Sequence, residues 1–118
     1  MKLSEARCIF TLNLARLVLH INSQPGYTCN LGEVVRTKAE AEKNAQQGDG
    51  IKNSLHCLGL AADLNLFQNK VYQTSTEAHE RFGKYWRSLH PSNRWGGDFD
   101  GDGITDDHDG NHYEMRET

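Results

Sequence analysis

From Ala61 to Phe67 the side chains alternate, with Ala62, Leu64 and Leu66 on one face and Asp63 and Asn65 on the other. Successive residues of a strand point to opposite sides of a sheet. The segment therefore reads as a half-buried strand that turns a carboxylate away from its apolar face. Upstream, Cys8, Leu12, Ala15 and Leu19 recur at three- and four-residue intervals, with Ile9, Leu14, Leu17 and Val18 widening the stripe. This predicts an amphipathic helix from Ser4 to His20, packed on the core along that stripe. Ser23-Gln24-Pro25-Gly26 breaks it, and Tyr27 to Val35 reads as one short strand, or as a hairpin interrupted at Asn30-Leu31-Gly32.

Thr37 with Glu40 and Thr74 with Glu77 are capping-box pairs. The first predicts a polar helix from Lys38 to about Gln46, ended by Gly48-Asp49-Gly50. The second predicts a helix that buries Ala78, Phe82, Tyr85, Trp86 and Leu89 and stops before Pro91. His112 to Met115 reads as a closing strand with His112 and Glu114 on one face. The expected fold class is α+β, a small antiparallel sheet with packed helices in a single domain spanning 1–118.

Bulk properties narrow the function. The apolar stretch from Cys8 to Ile21 is broken by Asn13, Arg16 and His20, so it is too short and too polar for a membrane span and is a poor signal peptide. Three widely spaced cysteines, Cys8, Cys29 and Cys57, do not suggest a disulfide framework, and they suit a reducing cytoplasm. Cys57 is expected to be a buried thiol. Residues 98–118 hold 8 of the 16 acidic residues and 1 of the 13 basic ones, leaving the first 97 with 12 minus 8, or +4. A mildly basic body is compatible with an anionic polymer such as cell wall. No run of Lys and Arg interleaved with aromatics points to nucleic acid.

The chemistry concentrates in two places. Ser54-Leu55-His56-Cys57-Leu58-Gly59-Leu60-Ala61-Ala62-Asp63 offers a histidine and a carboxylate, and Asp109-Gly110-Asn111-His112-Tyr113-Glu114 offers a second histidine. Two histidines and one carboxylate are a common ligand set for a catalytic zinc, because three protein ligands leave a fourth position for water. His56, Asp63 and His112 are thus the expected ligands, and Asp109 stands where a general base for that water is needed. His20, His79, His90 and His108 belong to no motif and are read as structural or exposed.

The pattern S-x-H-x-x-G-x-A-x-D, followed by D-x-x-H-x-E, resembles the zinc peptidase family of D-alanyl-D-alanine carboxypeptidases and dipeptidases. The short form is most similar to its phage endolysin branch, the L-alanyl-D-glutamate peptidases. The resemblance implies the zinc scaffold that this family shares with the hedgehog signalling domain. It also implies hydrolysis of peptidoglycan stem peptides, with Asp109 as base and Arg36 polarising the scissile carbonyl. The family's arginine is followed by Ser or Thr, as in Val35-Arg36-Thr37. The glutamine usual a few residues on is absent, and Glu40, Ala41 and Glu42 stand in that region. Ser54 is expected to orient substrate or a ligand, and Glu114 to hold the His112 ring or another part of the loop. As an endolysin, the chain is expected to be a monomer that waits in the host cytoplasm until a holin-type pore-former releases it to the wall. A D,D-carboxypeptidase, a non-catalytic metal-binding recognition module and a calcium-binding adhesion module are the alternatives.

Asp98-Phe99-Asp100-Gly101-Asp102-Gly103 also matches the opening of a calcium loop, within an acidic insertion spanning 98–109. Asp98, Asp100, Asp102 and Ile104 are the candidate early ligands. Asp106 or Asp107 is expected to close the site, so that Asp109 stays free to face the zinc. A solvated acidic loop without an ion is the other reading.

Overall fold

The computed structural model describes residues 1–35, 55–105 and 107–116. The expected capped helix at 38–46 lies outside them, as do Arg36, Ser54 and Asp106. Among the described residues two helices and a five-stranded antiparallel sheet make an α+β domain.

The hub of the sheet is β2, Ala61–Gln68. Along one edge it pairs with β1, Tyr27–Leu31, from Leu31 opposite Leu64 to Tyr27 opposite Gln68. Its other edge is shared end to end. β5, His112–Met115, pairs with residues 61–63, and β3, Val71–Gln73, pairs with residues 66–68. β4, Asn93–Trp95, lies outside β5. Tyr27 to Val35 is thus one strand with a trailing segment, whose Gly32 and Glu33 continue the pairing as far as Asp63.

β3 escaped the sequence reading because its turn signal is weak. Asn69 and Lys70 both take positive φ, 51° and 68°, between Gln68 and Val71. That matches a two-residue hairpin turn whose twist suits the strands, but a lysine stands where glycine is usual. β4 was hidden by its length of three residues.

The helix α1, Leu3–Ser23, corrects an expectation. Its buried residues are Ala6, Phe10, Asn13, Leu17 and Ile21, whereas Leu12 is 53% and Leu19 72% exposed, with Cys8 and Ala15 also at the surface. The true stripe is shifted by two positions, about 200° around the helix. With Ile9, Leu14 and Val18 half-buried between the stripes, α1 is apolar nearly all round, and periodicity alone could not choose the face.

α2, Glu80–Leu89, follows a 3-10 turn at Glu77–His79. The Thr74 capping box does not form; the Ala78 amide donates instead to Ser75 Oγ at 3.2 Å. The expected stripe does face inward, with Phe82 and Trp86 fully buried and Ala78, Tyr85 and Leu89 partly so. Trp86 packs edge-on against Phe10, and its indole N–H donates to the carbonyls of Arg94 and Glu114 at 3.0 Å each. That anchor fixes α2 to β4 and to β5, the strand that carries His112.

Leu64 and Leu66 of β2, Tyr113 and Met115 of β5, and Trp95 of β4 meet the helices in one core. Because the pleat alternates, the same strands present Asp63, His112, Glu114 and Arg94 on the opposite face. Among the described residues no helix is long and apolar enough to cross a membrane.

Candidate metal centre

The sheet register sets Asp63 directly opposite His112, and a short 3-10 turn, Leu55–Leu58, brings His56 to the same spot. One donor atom from each of the three lies within 4.8 Å of the others. Asp63 Oδ1 is 3.0 Å from His112 Nδ1 and 3.4 Å from His56 Nε2. Both imidazoles are buried.

The remaining ring nitrogens are tied to the fold. His56 Nδ1 lies 3.3 Å from the Val34 carbonyl, and His112 Nε2 lies 2.8 Å from Glu114 Oε1. An acceptor at each of those nitrogens requires an N–H there. His56 Nε2 and His112 Nδ1 are left to offer lone pairs toward Asp63 Oδ1. Three convergent donors with their tautomers fixed from behind fit a divalent zinc, whose usual ligands are these types. Glu114 thus takes one of the two places expected for it, behind His112. Val34 has no signal in the sequence, since a backbone carbonyl can belong to any residue.

The charges inside the cluster are strongly coupled. Burial pushes the Asp63 carboxyl up, but the hydrogen bonds and positive charge of His112 and His56 outweigh it and hold the group at about 2. Burial depresses His112, and its bonds to Asp63 and Glu114, with the charges of Glu114 and Asp109, more than reverse this and raise it to about 9. In the metal-free protein a proton therefore occupies the gap that a cation would fill.

Asp109 belongs to the same electrostatic group. Partial desolvation raises its carboxyl above the ordinary range; Asp63 and Glu114 push in the same direction, and His112 and His56 oppose them. Its backbone is held by a turn that the sequence reading did not identify. The Asp109 amide donates to Gly96 O at 3.1 Å, the His112 amide to Asp109 O at 3.0 Å, and the Gly96 amide to His112 O at 2.8 Å. A side chain at Gly96 would collide with the Asp109 carbonyl oxygen. Trp95 Nε1 donates to Gly110 O at 2.7 Å, and the Gly110 amide donates to Thr76 Oγ1 at 3.2 Å. Trp95-Gly96-Gly97, legible only as the start of the acidic segment, is therefore the platform on which the Asp109 turn rests.

The other histidines of the described residues have ordinary occupations. His20 stacks on Tyr85, buried His79 bonds Tyr113, His90 accepts from the Ser92 amide, and His108 is exposed. Cys57, expected buried, is half-buried.

In the acidic segment, carboxylate oxygens of Asp98, Asp100 and Asp102 also lie within 4.8 Å of one another. Asp98 is buried; its Oδ2 accepts from Arg87 at 3.1 Å and from the Gly103 amide at 2.9 Å, while Oδ1 has no hydrogen-bond partner among the described residues. Asp107 is not grouped with these three; its Oδ2 accepts the Phe99 amide at 2.8 Å, and Asp106, the other residue expected to close the site, lies outside the described residues. Ile104 is 61% exposed and contributes its amide to Asp102 Oδ1 at 2.8 Å.

No protein-family model matches the sequence, and no curated protein matches it. Solved structures that match the fold include two peptidases. The L-Ala D-Glu endopeptidase ChiX of Serratia marcescens superposes with a TM-score of 0.67 at 19% identity, over 89% of this chain and 77% of that one. The vancomycin-resistance D,D-pentapeptidase VanY, solved as a mutant with Zn(II), superposes with a TM-score of 0.58 at 16% identity, over 90% and 70%. The α+β arrangement seen here is the fold of those two peptidases.

Proposed function

We propose that this protein is a zinc-dependent peptidoglycan peptidase that hydrolyses the L-alanyl-D-glutamate bond of the stem peptide and serves as a phage endolysin. The observation that carries the reading is the convergence of His56, Asp63 and His112 at one face of the sheet, each imidazole fixed from behind and Asp109 alongside. The fold match to ChiX supports the choice of bond.

His56, Asp63 and His112 hold the metal, which supplies a Lewis acid that makes a water nucleophilic near neutral pH. Asp63 contributes the one negative charge, so the cation keeps net positive character. Asp109 accepts the proton of the attacking water as its oxygen bonds to the carbonyl carbon, and passes that proton to the leaving amine as the C–N bond breaks. Its raised pKa suits both roles, because a weakly acidic carboxyl takes and returns a proton more readily near neutral pH. Arg36 stabilises the negative charge that develops on the carbonyl oxygen, and Ser54 orients the substrate; both assignments rest on the sequence motif.

Asp98, Asp100 and Asp102 bind calcium, which orders the acidic segment leading to Asp109 and His112. The buried, unpartnered Asp98 Oδ1 supports this, since a buried oxygen without a partner calls for a cation or a donor. Equal activity of the zinc-loaded enzyme with and without calcium would exclude that role. The enzyme waits as a monomer in the host cytoplasm and reaches the wall through a holin-type pore.

The fold match to VanY favours one competing reading, a carboxypeptidase acting on D-Ala-D-Ala. Incubating the zinc-loaded protein with purified Gram-negative peptidoglycan, followed by mass spectrometry, separates the two. New N-terminal D-glutamate supports the endopeptidase, and release of D-alanine replaces it with the carboxypeptidase.

A further inference from the structure

The open face of β2 does not end at Asp63. Its alternation continues through Asn65 and Phe67, both partly exposed, while Leu64 and Leu66 point into the core. β1 sets Asn30 opposite Asn65, and β3 sets Tyr72 opposite Phe67. Asn65 Nδ2 donates to Asn30 Oδ1 at 2.9 Å, and the Tyr72 hydroxyl reaches Asn65 Oδ1 at 3.5 Å. The Phe67 and Tyr72 rings lie 5.4 Å apart, tilted by 46°, and Tyr72 remains 51% exposed. A cross-strand aromatic pair by itself stabilises a sheet. Here it is also accessible, bordered by amides, and on the same face as the metal cluster.

The two directions away from Asp63 differ in charge. Toward β1 and β3 the face carries Asn30, Asn65, Phe67 and Tyr72, all neutral. On the far side of His112, a cavity of about 350 Å³ is lined by charged groups of both signs, Arg87, Arg94 and Arg116 with Asp98 and Asp100. A stem peptide is divided in the same way, neutral at one end and charged at the other. The L-alanine end joins a neutral N-acetylated sugar through a lactyl ether, and the D-glutamate end carries carboxylates.

We infer that the neutral face is a subsite for the N-acetylmuramyl sugar, so that the enzyme favours stems still attached to the glycan. The inference rests on the L-alanyl-D-glutamate reading above. Spacing supports it: from Asp63, Asn65 lies about 7 Å and Phe67 about 13 Å along the strand. One alanine and a lactyl link place the sugar ring on the order of 8 Å from the scissile carbonyl. The apolar face of the ring lies against Tyr72 and Phe67, and its hydroxyl and N-acetyl groups meet the amides of Asn65 and Asn30. A bond at the D-alanine end of the stem would leave the sugar too far away to reach this face.

The test compares kcat/KM of the zinc-loaded protein for the stem tripeptide carried on N-acetylmuramic acid with kcat/KM for the same tripeptide bearing only an N-acetyl group. The expected result is a preference for the muramyl substrate of about tenfold, carried mainly by KM, the size that one aromatic contact supports. Tyr72→Ala moves the ratio toward one, and Tyr72→Phe, which keeps the ring, retains most of it. Equal kcat/KM for the two substrates in the wild type, or a ratio untouched by Tyr72→Ala and Phe67→Ala together, overturns the subsite while leaving the peptidase reading intact. Cleavage of neither substrate removes the peptidase reading and the subsite with it.

Discussion

Among the described residues, groups that could hold a metal ion lie in two places, and the two are built differently. The sheet cluster takes its residues from three separate elements, and both imidazoles are braced behind the donor atom by Val34 and Glu114. The loop cluster takes Asp98, Asp100 and Asp102 from five consecutive residues, and only Asp98 is buried. Asp100 and Asp102 are exposed, and each carboxylate accepts an amide from two residues further along. A site braced by the core exists before its ion arrives, whereas a site made of one loop gains much of its order from the ion. The first arrangement suits catalysis, which needs fixed distances, and the second suits regulation.

The largest effect expected is at the sheet cluster. Asp63→Ala removes the only anionic ligand, and it should abolish zinc binding in a metal assay and peptidase activity with it, a loss of about 10³-fold or more. The same variant should leave calcium binding at the loop unchanged; loss of both would break the distinction between the two sites.

The next effect is a pH dependence with a definite sign. In the metal-free protein His112 is raised from 6.5 to about 9 and Asp63 lowered from 3.8 to about 2. The stability that this pair contributes is fully present between those two unfolded values. It is lost as pH rises through about 9, where His112 loses its proton, and as pH falls through about 2, where Asp63 gains one. Zinc must displace the His112 proton, so its affinity should climb with pH by up to about tenfold per unit until about 9. Isothermal titration across that range would test this, and a flat affinity would place the proton elsewhere.

Glu114→Gln keeps an acceptor behind His112 but removes its charge. Zinc affinity should fall by about 10- to 100-fold with the fold intact. The smallest effect belongs to the loop. Calcium should raise the melting temperature of the wild type by a few degrees, about 1 to 2 kcal/mol by mass action, and Asp98→Asn should abolish that shift. A shift that survives Asp98→Asn would mean that the ion binds elsewhere.

The same contrast explains what could be read from the sequence. The sheet cluster was legible because strand alternation is strict: it set Asp63 apart from Leu64, and it put His112 and Glu114 on one side. The motif alone sufficed to name His56, Asp63 and His112 as a group. The Val34 brace and the Gly96 platform under Asp109 were not legible, since both act through backbone atoms that leave little mark on residue type. The calcium-loop pattern put Asp98, Asp100 and Asp102 together, but it carries no sign that Asp107 accepts the Phe99 amide, because a loop aspartate can satisfy a nearby amide as readily as an ion. In the fold, α2 was read correctly because its apolar residues occupy one face. α1 was turned to the wrong side because apolar residues surround it, and only contact with β1 and α2 decides which of them is buried.

The proposed mechanism separates residues that would hold zinc from one that moves protons, and Asp109→Asn tests that division most directly. Zinc content and the appearance of N-terminal D-glutamate from purified peptidoglycan are measured together in the wild type and the variant. One zinc per chain is expected in both proteins, with cleavage in the wild type and a loss of about 10²- to 10⁴-fold in the variant. Full zinc occupancy with no cleavage by the wild type, or undiminished cleavage by Asp109→Asn, would contradict that mechanism.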